Sequence, residues 1–240
     1  MPPHFALMFI SSIAGSLVQA VCGFGYGPVN MSVMPYLLPY LQAVTLSGLC
    51  GSTTSLMVVL TSWRHVNLRI LLPCAVTGVL TGMAAVQISA GARDALMMHC
   101  LGAGLIVLGI YSLFFKGKIR IRPTPLNGAI AGVIAGLCSG LFAVAGPPMA
   151  IYLLDAVTDN DEYRATLDAY FCCTTVGTTF MRWRNGAFTA TVVHAYLPLI
   201  AALVIGTWIG TKIFHRLNAK LLRTAVYSYL IVSGTLMLFK

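Results

Sequence analysis

Cys22–Pro28 reads CGFGYGP, and Phe142–Pro148 reads FAVAGPP. Each stretch interrupts a long apolar segment with glycine, small residues and proline, and glycine and proline are the residues a helix interior tolerates least. The first lies in a run from Phe5 to Leu41 that carries no charge. If residues 5–40 formed one helix, its 36 residues would reach about 54 Å, against about 30 Å for the hydrocarbon core of a bilayer. Residues 125–154 pose the same problem. Irregular backbone at membrane depth persists only where protein buries it or where it lines a wet cavity.

The rest of the chain identifies the solvent as lipid. Only 9% of its 240 residues are charged and 58% are hydrophobic, and the mean hydropathy is +0.85. An ordinary soluble domain has about 25% charged residues. The fold class is therefore an all-α polytopic membrane protein. The formal net charge of +9 first reports topology, because the Lys and Arg residues lie in short loops between apolar segments. That placement excludes a basic nucleic-acid face. Seven cysteines are scattered without CxxC or Cys/His spacing, so no metal or other cofactor is expected and they read as small core residues. The N-terminal apolar stretch has no Lys or Arg before it and reads as a retained membrane segment rather than a signal peptide.

Apolar segments cover roughly 5–40, 43–62, 67–91, 95–115, 125–154, 165–181, 187–211 and 219–239. A shift of 120 residues, half the chain, carries Gly27-Pro28 onto Pro147-Pro148, Thr54 onto Thr174, and Trp63-Arg64 onto Trp183-Arg184. With a slightly larger shift GVLTG (78–82) meets GTWIG (206–210), glycines four apart as close helix packing requires. Two repeats follow, residues 1–120 and 121–240, each of about four helical segments and each opening with a broken or re-entrant helix. If the first and fifth segments cross the membrane, the 15 Lys and Arg divide nine to six. If they fold back, Arg64, Arg69, Lys116, Lys118, Arg120, Arg122, Arg164, Lys212, Arg216, Lys220 and Arg223 share one side. Only Arg93, Arg182, Arg184 and Lys240 then face the other. The positive-inside rule favours the second arrangement, which makes the repeats inverted.

Gly23, Gly25 and Gly27 permit dihedrals and close approaches that side chains forbid. Pro28 and Pro147 suit the first turn of a restarting helix. Each restart offers free N–H groups and a partial positive charge, so two of them facing one point would form an anion site made chiefly of backbone. Either motif alone reads equally as a packing kink; recurrence at equivalent positions favours a transport site.

At these breaks the chain resembles the sulfite exporter TauE/SafE family of bacterial membrane permeases. The resemblance rests on GSLVQAVCGFGYGPVNMSVMP (15–35) and AGLCSGLFAVAGPPMAIYLL (135–154), and on the basic exits TSLMVVLTSWRHVN (54–67) and TTVGTTFMRWRNGAF (174–188). It covers nearly the whole chain. The usual glycine triplet is altered by Tyr26 in one copy and by Ala145 and Pro147 in the other. The resemblance implies a bacterial inner-membrane carrier for sulfite, sulfonates or related small organic anions.

The expected anion-binding set is Gln19, Gly23, Gly25, Gly27, Pro28, Asn30 and Thr54 from the first repeat, with Ser139, Ala145, Gly146, Pro147 and Thr174 from the second. Gln19, Asn30 and Ser139 read equally as partners for the broken backbone, and the threonines as hydroxyls bonded within their own helices. Arg64 and Arg184, each after a tryptophan, are either interface anchors or charged mouths of the pathway, a role Arg182 could share. Among the few ionisable groups inside apolar segments, Asp168 reads as an interfacial cap and His194 as a packed or proton-coupling histidine. No GxxxxGK[ST], GxSxG or HExxH sequence is present, which argues against an ATPase or an intramembrane enzyme. A secondary anion transporter is the leading function, with an anion channel as the alternative. The expected partners are the small anion and the lipid bilayer, with a homodimer left open.

Overall fold

The computed structural model describes residues 4–114, 122–213 and 219–239. They form ten α-helices: α1 (Phe5–Cys22), α2 (Tyr26–Met31), α3 (Tyr40–Ser62), α4 (Leu68–Ala90), α5 (Asp94–Phe114), α6 (Pro125–Phe142), α7 (Gly146–Ala156), α8 (Asn160–Arg184), α9 (Ala190–Ile213) and α10 (Ala219–Leu238). Helices α1, α3, α4, α5, α6 and α9 are long and apolar enough to cross a membrane. Their outer faces carry exposed Leu80, Ile88, Val107, Leu126 and Trp208, a surface suited to lipid rather than water. Helix α8 has polar and charged residues along its length and is covered instead by α3 and α4.

Helix starts follow local chemistry. Asn67 accepts from Arg69 N (3.1 Å) and Ile70 N (3.2 Å) at the start of α4, and Asp159 accepts from Glu162 N (3.0 Å) at the start of α8. Thr124, with Pro125 behind it, caps α6. Pro39, before α3, has no side-chain cap, and Asp94 of α5 accepts from Tyr40 N at 3.0 Å in its place. Asp168, read from the sequence as the interfacial cap of α8, is instead 1% exposed deep within that helix.

Stripes of small residues decide which helices meet. Gly78 and Gly82 of α4 lie against Gly136 and Gly140 of α6, Gly132 lies against Cys74 and Thr77, and Thr77 and Thr81 donate to Ala129 O (3.0 Å) and Val133 O (3.3 Å). The glycines that match them in sequence, Gly206 and Gly210 of α9, lie against Ile13, Ser16, Leu17 and Ala20 of α1. Both pairs run parallel. Helices α3 and α8 run antiparallel, with Gly48 against Arg182, Ser55 against Asp168, and Asn67 beyond α3 bonded to Thr166. Helices α5 and α10 are antiparallel as well, with Gly102 against Gly234 and Gly109 against Tyr227.

The residues between α1 and α2 turn the chain back along itself. Asn30 Nδ2 reaches Ser11 O at 3.3 Å and Ser12 Oγ lies 3.1 Å from the Tyr26 hydroxyl, so α2 returns beside α1. In the same way Tyr152 of α7 donates to Thr124 O before α6 at 3.3 Å. At the end of α1, Gly23 takes a left-handed conformation (φ 79°) and donates to Gln19 O at 2.8 Å. At the end of α6 the same role falls to Ala143 (φ 55°), which donates to Ser139 O at 3.0 Å. A left-handed L-residue costs about 1–2 kcal/mol, which glycine avoids.

Of the residues used to judge topology, Lys116, Lys118, Arg120, Arg216 and Lys240 lie outside the described residues. Arg64, Arg69 and Arg164 cluster at the end where Asn67 Nδ2 bonds the Glu162 carboxylate. Arg184 lies at the end where Asn185 meets Gln87, and Arg93, the residue before α5, lies there too.

Candidate anion site

The two chain breaks meet. A side chain at Gly27 would strike the carbonyl of Ala143, and one at Gly146 would strike the Phe24 side chain. Beside this contact is a cavity of about 50 Å³, walled by the middle of α3 and the C-terminal half of α8. Eight of the twelve expected binding residues line it: Gln19, Gly25, Gly27 and Pro28 from the first half, with Ser139, Ala145, Gly146 and Thr174 from the second. The other four turn elsewhere. Gly23 contacts Tyr163 and Leu167, and Asn30 ties α2 to α1. Thr54 donates to its own helix at Cys50 O (3.1 Å), and Pro147 lines a separate small gap with Tyr111 and Tyr227. Ser47, Ser52, Ser55, Thr175 and Thr178 add hydroxyl groups to the cavity wall.

The charge in this cavity comes from Arg182. It is 2% exposed, among the largest fully buried side chains, and its Nη2 donates to Ser139 O (3.0 Å) and Gly140 O (3.1 Å). Its Nε has no hydrogen-bond partner, and no carboxylate among the described residues pairs with it. Gly48 makes room for it, because a Cβ there would lie 2.7 Å from Arg182 Nη1. A buried guanidinium held only by carbonyl dipoles keeps unspent capacity for an anion. Arg182 is thus a wall of the cavity rather than a residue of its mouth. Its pattern is visible in the chain: Thr174, Thr178 and Arg182 recur four apart on one buried face of α8.

Arg64 and Arg184 are exposed, and Arg64 sits over the Trp63 ring at 5.4 Å, the geometry of an interfacial anchor. His194 is exposed on α9, its Nδ1 2.7 Å from Ala190 O, and stands apart from the cavity. All seven cysteines are free thiols, and no group of three metal-binding side chains occurs among the described residues.

A wider apolar recess of about 660 Å³ adjoins the cavity through Ser52 and Thr175. Phe180, Trp183, Phe188 and Tyr196 are among its walls. The six apolar spans define a multi-pass membrane protein. The family described as "Sulfite exporter TauE/SafE" matches residues 7–237, and the chain belongs to that family, whose members are transporters rather than enzymes. The "Probable sulfite/organosulfonate exporter TauE" of Cupriavidus necator is 25% identical over 232 residues, covering 94% of this chain and 90% of that protein. No solved structure matches the chain.

Proposed function

We propose that this chain is a secondary transporter of small sulfur oxyanions, sulfite or sulfonates, in the bacterial inner membrane. Two inverted repeats, 1–120 and 121–240, hold the anion between their broken helices near the bilayer midplane. The observation that carries this reading is Arg182, a buried cation with no carboxylate partner among the described residues, on the wall of a cavity built where the two breaks meet. Supporting the inversion, the corresponding helices α3 and α8 pack antiparallel, as do α5 and α10.

The two helix starts do not contribute equally. Helix α2 has six residues and α7 has eleven, so α7 supplies the more developed dipole, and Arg182 carries most of the charge balance. A cavity of about 50 Å³ suits a group the size of a few waters, each of which needs about 10–15 Å³ of such space. That is the scale of an oxyanion head, and the adjoining apolar recess offers space for an organic tail. The relative from Cupriavidus necator is named for both substrate types.

Counterflow in proteoliposomes tests the reading. Sulfite preloaded inside should accelerate uptake of labelled sulfite, as a carrier requires, whereas a channel would show no acceleration. Arg182→Gln should weaken anion binding by about 2–5 kcal/mol, the usual consequence of removing one partner from a buried charge pair. Unaltered anion affinity in that variant would refute the role of the cavity.

A further inference from the structure

We infer that Asp168 is the proton-binding group coupled to the anion site, so that each anion entering the cavity is accompanied by one proton on this carboxyl. The inference rests on the reading of the cavity as the anion site. Asp168 is 1% exposed. Its Oδ1 accepts from Gln19 Nε2 at 3.3 Å, and its Oδ2 has no hydrogen-bond partner. The same Gln19 Nε2 donates to Ser55 Oγ at 2.8 Å, and both Gln19 and Ser55 line the cavity. A single side chain therefore separates the carboxyl from the space assigned to the anion.

The groups that face Asp168 come from three helices. Gln19 approaches from α1 and Ser55 from α3; Arg164 stands one turn earlier on α8, and Cys172 one turn later. The Arg164 Nε is itself buried without a partner, so this cation stabilises the carboxylate without closing an ion pair on it. No second carboxylate faces the site among these groups.

An ionised Asp168 and a bound anion are like charges sharing a poorly solvated interior, and each disfavours the other. The ionised carboxyl also holds the Gln19 amide N–H groups on itself and Ser55, where they are not free to meet an anion. A proton on Oδ2 removes the repulsion and makes that oxygen a donor. The Gln19 amide can then present its oxygen to Asp168 and its N–H groups to the anion. The proton is taken from the side that loads the anion and is released with it, so charge and atoms balance without another reactant. By linkage, proton and anion raise each other's affinity by the same factor. Anion affinity is full while the empty site is protonated and falls about tenfold per pH unit once the carboxyl ionises.

The test is titration calorimetry on the purified full chain with methanesulfonate, whose charge is constant between about pH 5 and pH 9, unlike that of sulfite. Two buffers of different ionisation enthalpy report proton uptake. The unaltered protein should take up about one proton per anion on the alkaline limb, with Kd rising about tenfold per pH unit there. Asp168→Asn keeps an acceptor for Gln19 but cannot ionise, and should bind with a flat pH profile and no proton uptake. His194→Gln should retain the full slope. Asp168→Glu, a second probe should the Asn variant not fold, should displace the pH at which affinity begins to fall. A flat profile in the unaltered protein, an unchanged slope in Asp168→Asn, or an undisplaced profile in Asp168→Glu would overturn the inference. Binding that is strong but independent of pH would leave the anion site standing and remove only the proton; no binding at the lowest pH would remove both.

Discussion

The two chain breaks make one turn with different residues. Gly23 and Ala143, related by the 120-residue shift, both take left-handed conformations and both close the preceding helix onto a carbonyl four residues back. The first half meets that geometry with a residue suited to it, and the second with an L-residue that is strained there. The halves differ again in charge. Arg182 and Asp168 of α8 correspond under the shift to Ser62 and Gly48 of α3. A backbone plan held in common thus carries its ionisable groups on one side only, which separates the residues that shape the cavity from those that give it chemistry.

The comparison breaks most completely if the halves are not inverted. Single cysteines at positions 64 and 184, in a background stripped of accessible native thiols, should label from opposite faces with an impermeant reagent. Labelling from one face would end the inverted arrangement. A large effect is expected where the breaks touch. Gly27→Val places a side chain on the Ala143 carbonyl, which cannot move without displacing the second break. It should destabilise the protein by about 3 kcal/mol or more, read as loss of folded protein in detergent and of transport. Gly146→Ala presses on the Phe24 Cβ instead, which shifts only with its own backbone, and should cost about 1–3 kcal/mol.

The turn residues themselves give an intermediate pair. Gly23→Ala should cost about 1–2 kcal/mol through its dihedral, since its nearest neighbours stand 3.7 Å away or more. Ala143→Gly should stabilise by about 0.5–1 kcal/mol, the relieved strain less the greater freedom of glycine in the unfolded chain. Thermal melting in detergent reads both. The smallest effect separates Thr54 from Thr174. Thr174→Val should weaken methanesulfonate binding by about 0.5 kcal/mol, the low end for one hydrogen bond, because the Thr174 proton must turn from Tyr170 O (3.0 Å) to reach the anion; Thr54→Val should leave binding unchanged.

Much of the fold was legible in the chain because lipid imposes simple rules. Apolar length marks the spans, and glycines four apart mark the close crossings at Gly78 and Gly206. The cavity proposed as the site was legible in its backbone parts, since eight of twelve expected residues line it. Its charges were not. Arg182 and Arg184 stand two positions apart, about 200° around a helix, so one turns into the cavity while the other faces outward. Linear spacing from Trp183 treats them alike, and only the face defined by Thr174 and Thr178 separates them. Asp168 follows an acidic loop and so resembles a cap, but Asp159 already fills that position, and Asp168, nine residues on, is buried. Thr54 and Thr174 match in sequence yet diverge in place, because α3 lines the cavity with the face of Ser47, Gly48, Gly51, Ser52 and Ser55, and Thr54 lies off that face.

The crossed pairing of α4 with α6 and of α1 with α9 has a consequence for biosynthesis. Each first helix finds its glycine-lined partner in the other half of the chain, so neither half can complete its own packing. Ser16 of α1 bonds to Ala202 O, 186 residues later. At about 5–20 residues per second, α1 leaves the ribosome roughly 10–40 s before the surface that covers Ser16 and Ala20 is made. The first helix must therefore wait in the membrane with its small, polar face open to lipid or to the insertion machinery. The chain locks only when its ninth helix arrives.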